Sequence, residues 1–335
     1  MAFMDSNLPR AHSLGYSIGE HKFDLGLSLA PMAGNTNVAY RALCRKFGAE
    51  LTTTEMVSSM ALRHNDTKSL GYLAKAINET PVAAQIFGAD PETLAMAVES
   101  VQQRGFDIVD LNVGCPVPKI TGGGGGSALL LEPQLAFDCV SAMTEAATVP
   151  VTVKIRAGWH DNDKNAPEFS ELMQKAGAEA ITVHGRTREQ KYTGSSDLEL
   201  IKLVAQAVDI PVIGNGDVID IESAQAMADT GVNGIAVGRG AMGKPWLFDQ
   251  IRCHFSGIDI PETPAAGARA ELLIELGSGV AELYGEKRGM RVMRRLAADF
   301  FHGLHGAPQL RKQCGQLSTI SDLHAIAALL SAIKT

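Results

Sequence analysis

The sequence has no run of about 18 consecutive apolar residues, the length that a membrane-spanning helix needs. Its first twenty residues also lack the apolar core of a secretory signal peptide. It has five cysteines, an odd number, and no two of them form a Cys-x-x-Cys pair. This argues against a disulfide framework and against a zinc site. We therefore expect a soluble, cytoplasmic protein without a bound metal.

Positive charge is also in short supply. The chain has 30 Lys and Arg against 37 Asp and Glu, and the formal net charge of −7 argues against a protein whose whole surface binds nucleic acid. Hydrophobic residues make up 45% of the chain and charged residues 20%, which is ordinary for a globular protein and excludes intrinsic disorder. The length of 335 residues suggests two domains, or one large α/β domain with an appendage.

Short β-branched segments alternate with longer amphipathic segments eight times along the chain. The predicted strands are residues 27–31, 51–57, 82–87, 108–115, 151–157, 180–185, 212–216 and 234–238. Four of the intervening helices are followed by a glycine that can cap the helix in the left-handed conformation, namely Gly48, Gly105, Gly177 and Gly231. Eight such units favour a (β/α)8 TIM barrel over a doubly wound open sheet, which is the competing fold.

The composition changes near residue 256. Residues 256–264 are rich in turn formers and are predicted to be a linker. Beyond it only helical periods occur, at residues 268–283, 290–301 and 323–333. We expect a barrel over residues 1–255 that carries the active site, followed by a small helical domain over residues 265–335, and we expect a monomer.

Polar side chains gather at the predicted C-terminal ends of the strands, where barrels carry their sites. Lys154 needs an anionic or carbonyl-rich partner if it is buried there, and a flavin ring would provide one. Gln85 has the donor and the acceptor that the pyrimidine edge of a flavin requires. His184 could serve a phosphate, a substrate or only packing. Two small turns, residues 215–217 and 238–240, follow the last two strands at the usual phosphate position of barrels.

Cys115 differs from the other cysteines because it follows a strand and precedes a proline. At that place it is a candidate acid or nucleophile, and the alternative is an incidental thiol in a turn. Cys44, Cys139 and Cys253 lie in amphipathic segments and are predicted to pack as small hydrophobic residues. The glycine run at residues 122–126 lacks the Lys and Ser/Thr of a nucleotide-binding loop. It is either a flexible lid that carries Cys115 or a surface loop without a role.

Taken in order, these segments resemble the tRNA-dihydrouridine synthases, with the motif order and length of the bacterial B-type branch. The motifs are Ala-Pro-Met-Ala-Gly at 30–34, Gln-Ile-Phe-Gly at 85–88, Asn-Val-Gly-Cys-Pro-Val-Pro-Lys at 112–119, Val-Lys-Ile-Arg at 153–156, Val-His-Gly-Arg-Thr at 183–187, Asn-Gly-Asp-Val at 215–218 and Gly-Arg-Gly-Ala-Met at 238–242. The segment around Cys115 is the most specific of them.

The resemblance implies an enzyme with bound FMN that NADPH reduces. It implies that the flavin then passes a hydride to C6 of a uracil in tRNA, while Cys115 protonates C5 from the opposite face. The implied flavin-binding residues are Pro31, Met32, Ala33, Gln85 and Lys154 on the ring side and Asn215, Gly216, Asp217, Gly238 and Arg239 on the phosphate side, with His184 nearby. Asn112 and Arg186 are the implied substrate contacts.

A base that reacts inside a barrel must leave its stack, so the protein needs a grip on the tRNA backbone elsewhere. Residues 285–312 carry a net charge of +5 on this otherwise acidic chain. Arg288, Arg291 and Arg295 recur at the spacing of one helix face. Together with the resemblance, this favours tRNA contact by Lys119, Lys287, Arg288, Arg291 and Arg295 over a merely solvated face.

Three other functions compete with this interpretation. Another FMN barrel that acts on a free pyrimidine, such as a dihydroorotate dehydrogenase, would account for Lys154 and Cys115 but not for the basic helices. A non-catalytic tRNA-binding protein would need neither flavin nor Cys115. A barrel that binds a phosphorylated metabolite without flavin would be colourless when pure.

Overall fold

A computed structural model describes residues 14–304 and 307–333 of the chain. The strands in this part are β1 Tyr16–Ile18, β2 His21–Phe23, β3 Leu27–Leu29, β4 Leu51–Thr53, β5 Val57–Ser58, β6 Val82–Phe87, β7 Ile108–Val113, β8 Val151–Arg156, β9 Ala180–His184, β10 Val212–Asn215 and β11 Gly234–Val237. The first two pair as an antiparallel hairpin. The short β5 adds to the C-terminal half of β6.

The remaining eight strands close into a parallel barrel. Each of β3, β4, β6, β7, β8, β9, β10 and β11 is hydrogen-bonded to its neighbours in that order, and β11 pairs with β3 to complete the ring. The predicted (β/α)8 barrel is therefore confirmed. The register puts Lys154 beside Asn112 and His184 beside both Arg156 and Asn215. Parallel pairing thus brings these polar side chains to one end of the barrel.

Helices cover the outside of the barrel and form the C-terminal part of the chain. They are α1 Val38–Lys46, α2 Ser59–Arg63, α3 Thr67–Leu70, α4 Pro91–Gln102, α5 Pro118–Thr121, α6 Pro133–Ala146, α7 Ala166–Lys175, α8 Leu198–Ala207, α9 Ile221–Ala228, α10 Leu247–Ser256, α11 Ala266–Tyr284, α12 Glu286–Asp299, α13 Ala307–Cys314 and α14 Ile320–Ser331. Three turns of 3₁₀ helix occur at Gly71–Leu73, Gly126–Leu131 and Arg239–Ala241. In the residues described, no helix is long and apolar enough to cross a membrane.

The hairpin β1–β2 closes the N-terminal end of the barrel. Tyr16, Ile18 and Phe23 pack in one cluster with residues near the starts of the strands, such as Ile108 and Ala180. The hairpin is absent from the sequence prediction because strands of three residues, one of them containing His21 and Lys22, give no readable alternation. Because the hairpin closes the N-terminal end of the barrel, the C-terminal end is the one available for a ligand.

Two local predictions can be compared with the structure directly. All four predicted capping glycines have positive φ, between 73° and 99°, as a left-handed turn back into the sheet requires. The single strand predicted over residues 51–57 is wrong, because β4 ends at Thr53 and β5 begins only at Val57. Between them the hydroxyl of Thr54, and not a backbone carbonyl, accepts the N–H of Gln85 at 3.1 Å, and the carboxylate of Glu55 accepts the N–H of Gly34.

The C-terminal helices pack on one another and on the barrel. Residues 257–265 contain neither helix nor strand, and α11 then packs against both α12 and α14. A Cβ added at Gly279 of α11 would lie 3.0 Å from Cβ of Ala39 in α1, so the two helices approach closely there. Lys46 and Glu275 join the same two helices through an ion pair of 2.7 Å. This packing fixes where the basic residues of α12 lie relative to the barrel.

Candidate active site

A cavity of about 630 Å³ opens at the C-terminal end of the barrel. Its lining includes Pro31, Met32, Ala33, Gln85, Asn112, Cys115, Lys154, His184, Asn215, Gly216, Asp217, Gly238 and Arg239, all of them predicted from the sequence. The volume lies within the range of small-molecule and cofactor pockets, about 300 to 1,000 Å³. The structure therefore brings thirteen predicted residues, contributed by seven of the eight barrel strands or the loops after them, to one site.

Lys154 is the cation on the floor of this cavity. Its Nζ donates to Oδ1 of Asn215 at 3.0 Å, and Nδ2 of Asn215 in turn donates to the carbonyl oxygen of Ala236 at 2.8 Å. Burial, aided by the nearby charge of Arg156, lowers the pKa of Lys154 to about 8. An ammonium has three donors, and the contacts among the described residues use one of them. The other two remain for an acceptor-rich ligand.

Gln85, Asn112 and the backbone of Cys115 form a hydrogen-bonded line along one wall. Nδ2 of Asn112 donates to Oε1 of Gln85 at 2.8 Å. Oδ1 of Asn112 accepts the backbone N–H of Cys115 at 2.8 Å and that of Gly114 at 3.1 Å. Asn112, predicted as a substrate contact, therefore also holds the turn that carries the thiol. Nε2 of Gln85 also donates to Asp110 at 2.7 Å, so each of the two amides keeps one N–H hydrogen for a ligand.

The thiol of Cys115 is 9% exposed and lines the cavity. Burial raises its pKa above the ordinary value, so the group is a protonated thiol at neutral pH. Nε of Arg156 donates to the carbonyl oxygen of Gly114 at 2.6 Å and steadies the same turn. Cys44, Cys139 and Cys253 are buried away from this cavity, as predicted.

The side of the cavity that is predicted to hold a phosphate combines two arginines with one carboxylate. Asp217 accepts from Nη2 of Arg186 at 2.7 Å and from the backbone N–H of Ser196 at 2.9 Å, and Arg239 lies 3.8 Å from its other oxygen. Gly216 has φ of +128°, and a Cβ there would lie 2.3 Å from Oγ of Ser196, so only glycine fits this turn.

His184 is neutral in this surrounding. Burial first, and then the charges of four neighbouring cations, lower its pKa to about 2. A neutral imidazole can donate or accept a hydrogen bond to a ligand, but it adds no charge to the site.

Arg186 lies behind the cavity rather than in it, which differs from its predicted contact with substrate. It is 2% exposed, and its guanidinium donates to Asp217 and to the carbonyl oxygens of Thr193 and Gly194. The physical reason is that Asp217 and these carbonyl groups take three of its five N–H donors, and Nη1 faces Nε2 of His184 at 3.5 Å. Arg186 thus shapes the loop that follows β9.

Arg156 and Tyr192 are among the lining residues that the predicted site residues do not include. Arg156 follows Lys154 by two positions, and the two-residue period of a strand puts both on one face. That period is a signal that could have identified Arg156. Tyr192 is 58% exposed at the rim, and its ring lies 5.5 Å from the guanidinium of Arg156 and 4.9 Å from that of Arg239. It lies in an irregular loop, where no periodicity could have indicated it.

The glycine run at residues 122–126 forms a compact turn against the thiol. Gly125 and Gly126 are buried, and a Cβ at Gly126 would lie 2.8 Å from the carbonyl oxygen of Cys115. Ser127 donates through its hydroxyl and its backbone N–H to that same oxygen. The structure thus has a packed support for Cys115 where the sequence suggested a flexible lid or a surface loop.

The basic face of α12 extends from the rim of the cavity. Lys287, Arg288, Arg291 and Arg295 are all exposed, and Lys119 is exposed on the short helix α5 after the Cys115 turn. Arg295 itself lines the cavity, and its Nη2 lies 3.4 Å from the carbonyl oxygen of Ala33. The ring of Tyr284 lies 5.0 Å below the guanidinium of Arg288. Arg295 therefore links the exposed cations of α12 to the mouth of the cavity.

A (β/α)8 barrel with a polar, cation-rich pocket at the C-terminal ends of its strands belongs to the class of barrel enzymes. The sequence profile of the family described as dihydrouridine synthase (Dus) matches residues 28–334 of this chain. The chain belongs to the dihydrouridine synthase family.

Similar curated proteins span nearly the same length. A probable tRNA-dihydrouridine synthase of Rickettsia conorii is 37% identical over 311 residues, which cover 92% of this chain and 93% of the relative. The tRNA-dihydrouridine synthase B of Pseudomonas aeruginosa is 38% identical over 305 residues, covering 90% of this chain and 91% of the relative. A probable tRNA-dihydrouridine synthase of Mycobacterium tuberculosis is 37% identical and is covered to 80% of its length.

Proposed function

We propose that this protein is a flavin-dependent tRNA-dihydrouridine synthase that uses NADPH to reduce the C5–C6 double bond of a uridine in tRNA. The observation that carries the proposal is that one cavity holds a protonated thiol at Cys115, a buried ammonium at Lys154 and the guanidinium of Arg239 near the glycine turn at Gly216. The names of the similar proteins support the choice of tRNA as substrate.

The cavity fits FMN by the chemistry of its lining. Lys154 and Gln85 offer donors to the polar edge of an isoalloxazine ring, and Pro31–Ala33 supply backbone groups beside it. Gly216 gives a turn without a side chain, next to Arg239, where a phosphate needs close backbone approach and positive charge. When bound, FMN supplies the hydride that NADPH delivers to it.

The protein's own side chains orient the uracil, donate the proton to it and bind the tRNA. The Asn112 amide, which keeps one N–H hydrogen, orients the uracil, and the Cys115 thiol holds the proton that C5 receives. Because burial keeps that thiol protonated, its proton is available without an added acid. The cationic rim of α12 holds the tRNA backbone while the target base enters the cavity.

The direct test is to incubate the purified protein with NADPH and tRNA that lacks dihydrouridine, and to measure dihydrouridine by mass spectrometry of the digested RNA. Formation of dihydrouridine that needs both NADPH and tRNA supports the proposal. A yellow protein whose colour NADPH bleaches, and which reduces free pyrimidines but not tRNA, favours the alternative pyrimidine dehydrogenase. A colourless and inactive protein contradicts both.

FMN affinity should fall with pH because of Lys154. We expect the dissociation constant of FMN to rise about tenfold between pH 7 and pH 9. The flavin-free protein loses the Lys154 proton around pH 8, and a complex that keeps the ammonium must first take that proton up. Fluorescence titration of flavin-free protein at both pH values measures the effect.

The variant Lys154→Met is the matched control for this pH dependence. It should bind FMN more weakly at pH 7 and show no change up to pH 9, because it has no proton to lose. A wild-type affinity that is equal at both pH values would contradict the ring-side role of Lys154.

A further inference from the structure

Asp110 is a buried carboxylate in the middle of β7 that the proposed reaction does not use. It is 5% exposed and lies below the cavity inside the barrel. Its Oδ2 accepts from Nε2 of Gln85 at 2.7 Å, and its Oδ1 accepts from the hydroxyl of Thr152 at 2.7 Å. Burying a carboxylate costs free energy unless hydrogen bonds or an opposite charge compensate for the lost hydration.

The contacts of Asp110 continue as an unbroken chain to the thiol loop. Asp110 binds the nitrogen of the Gln85 amide, the oxygen of that amide binds the nitrogen of Asn112, and the oxygen of Asn112 binds the backbone N–H of Cys115. The three distances are 2.7, 2.8 and 2.8 Å. Every link is a good hydrogen bond by distance.

The direction of this chain is fixed at both ends. A backbone N–H can only donate, so Asn112 must turn its oxygen towards Cys115. An ionised carboxylate can only accept, so Gln85 must turn its nitrogen towards Asp110. Burial raises the pKa of Asp110 to about 6, which leaves it largely ionised at pH 8. The two amides between these ends therefore have one orientation that satisfies every link.

We propose that Asp110 is a positioning residue that fixes the orientations of the Gln85 and Asn112 amides and, through them, the place of the Cys115 thiol. Asp110 touches neither substrate nor flavin in this proposal. Its importance for catalysis rests on the proposed function, in which Cys115 is the acid, but the positioning itself does not.

Exchanging the carboxylate and the amide between positions 110 and 112 tests the proposal. Asn112→Asp puts an acceptor on both sides of Gln85, and neither orientation of that amide can then satisfy both neighbours. Asp110→Asn alone keeps an oxygen for Gln85 and gives its new N–H to the hydroxyl of Thr152. The double variant Asp110→Asn with Asn112→Asp satisfies every link again, with the Gln85 amide reversed.

The reporter is the rate at which iodoacetamide alkylates Cys115 in the full-length holoprotein at pH 8, followed by peptide mass spectrometry. We expect Asn112→Asp to be alkylated roughly tenfold faster than wild type, because the new carboxylate still accepts from the Cys115 turn but is repelled by the Gln85 oxygen, so it displaces that turn. Both Asp110→Asn and the double variant should stay within about twofold. Thr152→Val, which removes the other donor to Asp110, is the control and should match wild type.

The four other cysteines, which are buried, report on folding, because an unfolded variant exposes all five thiols. Should Asn112→Asp fail to fold by itself, the proposal requires that the double variant folds. Equal alkylation of Asn112→Asp and wild type, or a fast Asn112→Asp that the double variant does not restore, overturns the proposal.

Dihydrouridine formation by the same wild-type preparation separates this proposal from the proposed function. If the alkylation rates follow the expected pattern while the wild type makes no dihydrouridine from tRNA and NADPH, the positioning chain stands and the proposed function fails. If the wild type makes dihydrouridine while Cys115 of the Asn112→Asp variant is alkylated at the wild-type rate, the proposed function is supported and the positioning role of Asp110 is contradicted.

Discussion

Cys115→Ala should form dihydrouridine about 10²- to 10⁴-fold more slowly than the wild type, the usual contribution of a positioned general acid. The variant removes the thiol that lines the cavity and leaves the ring-side and phosphate-side contacts intact. We therefore expect it to keep its bound flavin and its oxidation of NADPH. The measurement is single-turnover formation of dihydrouridine in tRNA, with flavin absorbance recorded on the same sample.

Cys139→Ala is the matched control. Cys139 lies in α6, is fully buried and does not line the cavity, so removal of its thiol should leave dihydrouridine formation at the wild-type rate. Cys115→Ser should be nearly as slow as Cys115→Ala, because a serine hydroxyl gives up its proton much less readily than a thiol. Wild-type turnover in Cys115→Ala would show that another group protonates the uracil.

The sequence was sufficient for the barrel because its strands are buried on both faces. Segments such as β6, β7 and β8 read as short runs rich in Val, Ile and Ala with glycine after the intervening helices. Burial on both faces selects that composition, and the parallel topology follows from the helices between the strands. Elements held only by tertiary contacts gave no such pattern, as in the hairpin β1–β2 and the eight-residue helix α13.

The site was predictable to the extent that it lies on strands. Position on a barrel strand implies a place at the mouth, and this identified Gln85, Lys154 and Cys115 without knowledge of their contacts. What the sequence could not supply is how many donors each group has left after folding. Arg186 illustrates this, because Asp217 and two loop carbonyl groups, all brought close only by the fold, occupy its guanidinium.

Asp110 is a case in which a signal was present and could have been used. It alternates with Val109 and Leu111 and shares the face of Asn112, so the period of the strand already puts a carboxylate next to the predicted site residues. Its partner Gln85 comes from the neighbouring strand in register, which only the pairing of β6 with β7 reveals. Periodicity gives the face of a side chain, and strand register gives its partner.

The structure also changes which arginines test the tRNA contact. Arg295 lines the cavity and lies beside the carbonyl oxygen of Ala33, so its replacement would disturb the flavin side as well as the tRNA side. Arg294 donates to the carbonyl oxygen of Leu317 and helps to hold the helical part together. Arg288 and Arg291 are exposed on the same helix without either complication.

We expect Arg288→Glu with Arg291→Glu to weaken tRNA binding roughly 10- to 100-fold at about 0.1 M salt, because two phosphate contacts are lost and two repulsions gained. The slope of log affinity against log salt should also become shallower, by about 1 for each lost contact. Fluorescence anisotropy of labelled tRNA over a range of salt concentrations measures both quantities, and thermal unfolding of the variant verifies that α12 remains folded.

Lys175→Glu with Lys202→Glu is the control of equal charge change, since both lysines are exposed on outer barrel helices, α7 and α8. A general effect of net charge would weaken tRNA binding equally in both double variants, whereas a docking surface on α12 weakens only the first. The chain as a whole is acidic, so tRNA must find a local cationic surface. If the α12 variant bound tRNA as tightly as the wild type, the backbone grip would have to lie elsewhere around the mouth, and Lys119 would be the next cation to reverse.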